Sequence, residues 1–471
     1  MDATHPSTRD KALALNLSPA FYGTIAEIGG GQEVARWFFH VGRAAGTVAK
    51  TISAYDMAVS DGLYGPADRY VSRQRLTAML EHEYAELLAR LGAARGGETA
   101  FFAFADTVAT TGYRRHGKGR GWLGVRFQAV PGQAPSDLLL HAALFDASAT
   151  QQQEALGILG VNLIHGACFH HADPAALVGS LLDELSRARV EIDMIHFAGP
   201  AFAGVDNRLM SLQLVEQELT DAAMFTAAGE MVQASEVLHR RPVLVERGSF
   251  RPITRLTLDL LERARDVFVR EPEVRGHAPV VVMEMTLHDL AQSKAIDHAD
   301  FLARADVLNR LGLSVLISRF DLFYRLAEYL AAATDQLIGI AAGVPALGEI
   351  GREKFYEALP GGILESTGRL FRRSVRMYVH PTRDPASGTI LDVVNVQMPP
   401  PWHYFRDLLL ESGQLVPIRE YNADYLSISG PDVLARIQAG DASWEPLVPP
   451  AAVETIKAAG LFGYRPSPAG G

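Results

Sequence analysis

The second half of this chain alternates short apolar runs with helix-like segments, and that alternation restricts its fold more than any other feature. Strand-like runs fall at 222–225, 243–246, 279–284, 314–318, 337–341 and 375–379, with helical periodicity between several of them, notably at 254–268, 300–311 and 321–332. Strands separated by helices of that length imply a largely parallel sheet, because a parallel pair needs a crossover that a helix supplies. Runs that are apolar throughout, rather than alternating, fit strands covered by helices on both faces. The expected class is therefore α/β with doubly wound, largely parallel sheets, and an α/β barrel is the alternative. The first half is mixed: strand-like runs at 24–28, 48–54, 100–105, 122–127, 137–145 and 190–197 are less evenly spaced, with helices expected at 32–41, 72–92, 151–164 and 174–188. Residues 1–20 read as a short arm. The predicted division is 1–235 and 236–397 for two α/β domains, with 398–471 a helical C-terminal extension that opens on three prolines.

Charge and cysteine usage narrow the class of partner. The net charge of −10 argues against a general nucleic-acid surface, which needs an excess of Lys and Arg along one face. The single cysteine, Cys168, makes no internal disulfide and suits a reducing compartment. No apolar stretch approaches the ~20 residues that cross a bilayer, and the start lacks a basic-then-apolar leader, so a cytoplasmic protein with no membrane partner is expected.

Several strand-like runs end in glycines, acids or arginines. Gly29-Gly30-Gly31 directly follow a strand and precede a helix, so their backbone N–H groups and the helix dipole could hold a phosphate. The pattern is neither GxGxxG nor GxxxxGK[ST], and the plainer reading is a tight strand-to-helix turn capped by Glu33. Glu27, Asp56, Asp106, Glu246 and Glu284 each close an apolar run, where open α/β sheets bind ligands. Glu27, Asp56 and Asp106 are the catalytic candidates, as an acid/base set or as holders of Mg2+. The segment Arg114-Arg115-His116-Gly117-Lys118-Gly119-Arg120-Gly121 is strongly basic in an acidic chain. Arg114, Arg115, Lys118 and Arg120 are the expected phosphate ligands with the glycine turn; a solvated hairpin tip is the competing reading. His165, Cys168, His170 and His171 lack the paired spacing of a structural zinc site.

The segments Tyr22-Gly-Thr-Ile-Ala-Glu-Ile-Gly-Gly-Gly-Gln-Glu-Val-Ala-Arg36 and Ala49-Lys-Thr-Ile-Ser-Ala-Tyr-Asp56 resemble an uncharacterised bacterial family. So do Gln152-Gln-Glu-Ala-Leu-Gly-Ile-Leu-Gly-Val-Asn162, Asp206-Asn-Arg-Leu209 and Gly361-Gly-Ile-Leu-Glu365, which spreads the likeness over most of the chain. Automated labels for that family are divided between nicotinate-nucleotide or nicotinamide mononucleotide adenylyltransferase and TonB-dependent receptor. The receptor label conflicts with the absence of a train of alternating outer-membrane strands. The first label implies nucleotidyl transfer in NAD metabolism. The chain carries neither His-x-Gly-His nor Ile-Ser-Ser-Thr-x-x-Arg, so no catalytic residue is carried over from adenylyltransferases.

Two functions are thus expected. One is binding of a phosphorylated small molecule or nucleotide, with nucleotidyl or phosphoryl transfer as its catalytic form. The alternative is a non-catalytic assembly or scaffold protein.

Overall fold

The computed structural model describes residues 6–111, 118–291, 295–372, 374–398 and 402–465. The chain divides into two compact units, Met1–Asp221 and Ala222–Gly471. Both are α/β, and both sheets are open rather than closed into a barrel.

In the first unit the strands are β1 (Phe21–Ile28), β2 (Val48–Ile52), β3 (Ala100–Ala109), β4 (Gly119–Phe127), β5 (Ser136–Leu144) and β6 (Val190–Ala198). They form one sheet in the order β2-β1-β3-β4-β5-β6. β1 runs parallel to β2 and β3, while β3 to β6 are antiparallel. The mixed character expected of this half is what the sheet has. Its helices are α1 (Thr8–Leu17), α2 (Glu33–Val41), α3 (Met57–Tyr64), α4 (Arg73–Arg95), α5 (Ala149–Phe169), α6 (Pro174–Ser180) and α7 (Asn207–Glu216). α1, α2 and α5 cover one face, where Leu15, Val34, Phe38, Phe102, Phe104 and Leu159 share a core. α4 packs against β3 and β4.

The expected N-terminal arm is instead a buried helix. Ser7 and Asp10 form a capping box that starts α1, and Leu15 is fully enclosed. The helix expected over 174–188 stops at Ser180, and residues 181–189 are turns.

The second unit contains β7 (Ala222–Phe225), β8 (Met231–Val232), β9 (Val243–Arg247), β10 (Val280–Thr286), β11 (Ser314–Ser318), β12 (Ile338–Gly343), β13 (Val375–His380), the small pair β14 (Thr382–Arg383) and β15 (Ile390–Leu391), and β16 (Leu415–Pro417). The main sheet has the order β16-β13-β12-β9-β10-β11-β7-β8. From β16 to β11 every pair is parallel; β7 and β8 add an antiparallel edge. Its helices are α8 (Ala234–Val237), α9 (Arg255–Phe268), α10 (Leu287–Leu290), α11 (His298–Arg310), α12 (Phe323–Ala333), α13 (Val344–Ile350), α14 (Gly362–Leu370), α15 (Trp402–Glu411), α16 (Gly430–Ala439) and α17 (Pro450–Ala459). Residues 222–235, expected in the first domain, lie in this unit because β7 pairs with β11. The stretch 398–471 is helical as expected but is not a separate domain: β16 extends the sheet and Trp402 enters its core.

Candidate functional site

The carboxyl ends of β1 and β3 were expected to form a crevice. Glu27 and Asp106 are register partners on these parallel neighbours, so their side chains leave the same face of the sheet. Glu27 is 2 % exposed and Asp106 1 %. Glu27 Oε1 accepts from Val34 N at 2.9 Å and Oε2 from Ala35 N at 3.1 Å, so the carboxyl caps the first turn of α2 from below. Those are the donors that a phosphate on this helix would need. Asp106 Oδ1 accepts from Ile28 N at 3.1 Å. The turn is therefore capped by Glu27, not by Glu33, which instead pairs with Arg36 on the surface.

Burial pushes the Glu27 carboxyl up to about 7, with the neighbouring Glu33 adding to the rise and the backbone donors opposing it. Burial and then Glu27 push Asp106 well above the ordinary carboxylate range. Two carboxyls this close cannot both ionise in a dry interior, so they titrate as a pair. For an acid held above its unfolded value, folding favours the protonated form, and stability falls as pH rises between those values. Wild-type stability is thus expected to drop by about 3 kcal/mol from Glu27 between pH ~4.5 and ~7. Asp106→Asn supplies the neutral partner permanently, so urea titrations across that range should show a flatter curve than wild type. Identical slopes would refute the shared proton.

Asp56 does not join this pair. It is exposed and caps α3, accepting from Val59 N at 3.1 Å. The three carboxyls do not fit Mg2+: two are buried and pushed towards their neutral form, with oxygens engaged by backbone, and the third sits on a separate helix end. Elsewhere among the described residues, His82, Glu83 and Glu86 cluster, but the Lys50 ammonium lies against both acids and Tyr64 donates to Glu83. His165, Cys168, His170 and His171 do not appear as a ligand set, and burial pushes the His165 imidazole down to about 4.

The glycine turn is tightly built. Gly29 and Gly31 have φ of +88°, and a Cβ on Gly29 would meet Val108 O at 2.0 Å. Gly31 N donates to Tyr55 Oη at 3.0 Å, a partner that its distance along the chain concealed. Gly30 also packs on Val108, and so does Gly121 on β4. The turn and the stem of the basic segment therefore meet across one side chain. Lys118 and Arg120 rise from that stem, both exposed; Lys118 stands over the Phe145 ring at 4.7 Å. Neither has a carboxylate partner among the described residues. Arg114 and Arg115 lie outside the described residues.

The other strand-end acids separate. Glu284 is fully buried and held by Arg247 Nε at 2.8 Å and Ser318 Oγ at 2.6 Å. No helix among the described residues is long and apolar enough to cross a membrane.

No protein-family model matches the chain, and no curated protein does. Solved structures give a partial likeness. The competence/damage-inducible protein CihA from Agrobacterium tumefaciens matches with a TM-score of 0.24 and 15 % identity, over 35 % of this chain and 97 % of that one. A CinA-superfamily protein from Enterobacter cloacae matches with a TM-score of 0.25 and 12 % identity, over 34 % and 92 %. Likeness at that level carries no functional argument.

Proposed function

We propose that the first unit binds a phosphorylated small molecule, a nucleotide being the form expected, above the carboxyl ends of β1 and β3. The observation that carries this reading is the meeting of the glycine turn and the basic stem across Val108, at the end of the sheet where the exposed Lys118 and Arg120 are carried. Two cations with no carboxylate neighbour among the described residues, in a protein of net charge −10, are suited to phosphate oxygens. Glu27 and Asp106 support the floor of this site rather than touch the ligand. No transfer step is assigned to them, because buried carboxyls committed to backbone N–H groups cannot reach a substrate.

The test is thermal shift with ATP, ADP, AMP, nicotinamide mononucleotide and inorganic phosphate, with and without Mg2+. A ligand at a hundred times its dissociation constant adds about 2.7 kcal/mol. At least one nucleotide should stabilise the wild type, and Lys118→Ala with Arg120→Ala should remove most of that gain while leaving the ligand-free melting point unchanged. No stabilisation by any of them, or equal stabilisation of the double variant, would sink the reading.

A further inference from the structure

The second unit has a second candidate position, defined by strand order. From β9 the chain passes through α9, β10, α11 and β11 on one side of that strand. It then returns through α12 to place β12 on the other side, against β9. α9 covers the face that carries Phe268 against Tyr378, whereas α12 and α14 pack on the opposite face with Val243, Val245, Ile338 and Ile340. The connections leaving β9 and β12 thus turn towards opposite faces. In open α/β sheets the position outside the strands' carboxyl ends, where successive connections part in this way, is the usual ligand position.

Glu246 is the penultimate residue of β9 at this parting. Its register neighbours are Ala341 on β12 and Met283 on β10, neither of which offers a side-chain hydrogen bond. It is 4 % exposed, and Oε2 is buried with no hydrogen-bond partner. The other buried acids of this unit are all satisfied: Glu284 by Arg247 and Ser318, and Asp259 by His380 Nε2 at 3.2 Å, Asn422 N at 3.0 Å and Arg263. Burial alone raises the Glu246 carboxyl well above the ordinary range, with no charged neighbour contributing. An unpaired buried carboxyl lowers stability, so its place at the end of a central strand asks for a partner from outside.

The geometry points to Glu246 as the anchor of a ligand site at the β9–β12 parting, for a small nitrogen base such as an amine, an amidine or an amino-substituted heterocycle. An anionic ligand would add a second negative group beside the carboxyl, and a purely apolar one would leave it unsatisfied. A nitrogen base answers both oxygens. An amine or amidine arrives already protonated, so the carboxyl releases its own proton to solvent and pairs with the cation, whereas a neutral amino-substituted heterocycle shares the carboxyl's proton; either way a charge-assisted hydrogen bond results. Ala341 on the adjoining strand keeps the space beside Glu246 free of a long side chain. This site is independent of the phosphate site of the first unit.

The test uses benzamidine, agmatine, cytosine and adenine, none of which carries phosphate, with thermal shift and saturation-transfer NMR on the full chain. Glu246→Leu removes the unpaired group, so its ligand-free melting point should rise by about 2–4 °C. Glu246→Gln, which keeps the volume, should fold like wild type. At least one probe should raise the wild-type melting point and give a saturation signal, with the response lost in Glu246→Leu and weakened at least tenfold in Glu246→Gln. The proposal is overturned if no probe binds the wild type, if binding is the same in Glu246→Leu, or if Glu246→Leu melts lower than wild type, which would reveal an internal partner for the carboxyl. Lys118→Ala with Arg120→Ala should leave these responses intact, so failure of one site does not decide the other.

Discussion

Gly29→Ala should destabilise the protein by about 3 kcal/mol or more, enough to lose most soluble folded material at 37 °C. Two costs add. A φ of +88° is strained for any residue with a Cβ, and that Cβ would stand 2.0 Å from Val108 O, a backbone atom of β3 that cannot move without breaking the sheet. Gly42 provides the control, because its φ is +85° but nothing lies within 4 Å of the added carbon. Gly42→Ala should cost only ~1 kcal/mol from the backbone alone. Urea denaturation of the two variants separates strain from collision. If both lose the same stability, the close approach of the turn to β3 is not what holds it.

The second large effect is expected at Lys11. Its side chain is 1 % exposed, and its ammonium donates to Asp183 Oδ2 at 2.6 Å, Asn162 Oδ1 at 2.9 Å and Ser180 O at 3.2 Å. All three ammonium protons are therefore used, and they join α1 to α5 and to the turn after α6. Burial lowers the affinity of this amine for its proton, and Asp183 offsets part of that. Breaking a buried pair from one side typically costs 3–5 kcal/mol, since the remaining polar groups stay desolvated. Lys11→Met should therefore lose about 3–5 kcal/mol in urea denaturation, and Lys11→Met combined with Asp183→Leu should recover a good part of it. A loss below ~1 kcal/mol in the single variant would mean that α1 is only loosely attached.

α1 also shows where reading the chain stops working. Half of its residues are apolar, but its polar face is not marked, because Lys11 and Asn16, polar by type, point inward. The residues that make this acceptable lie some 150 positions away, at Asn162 and Asp183. Strands fared better for a physical reason. A strand covered on both faces has to be apolar at consecutive positions, so 222–225, 314–318 and 375–379 are visible as runs and recur within one residue as β7, β11 and β13. The acid at the end of β1 was legible as a strand-end group, but not its task. Glu27 reaches the N–H groups of Val34 and Ala35 only because β1 and α2 double back through the Gly29–Gly31 turn. Local spacing pointed to Glu33, the acid nearest the helix start. Likewise Glu246 and Glu284 look alike along the chain. What separates them is that Arg247 and Ser318 lie on the face of Glu284, a matter of alternation and register between strands.

The placing of β12 against β9 also has a consequence for synthesis. β9 leaves the ribosome with one edge that only β12 can cover, and β12 follows after α9, β10, α11, β11 and α12 have all been made. At ~5–20 residues per second, that edge stays open for on the order of ten seconds. During that interval the row Val243-Leu244-Val245 presents free backbone donors and acceptors beside an apolar surface, the arrangement that recruits other nascent chains. Fast-translating codons between 248 and 337 should then raise soluble yield, and a pause placed there should lower it.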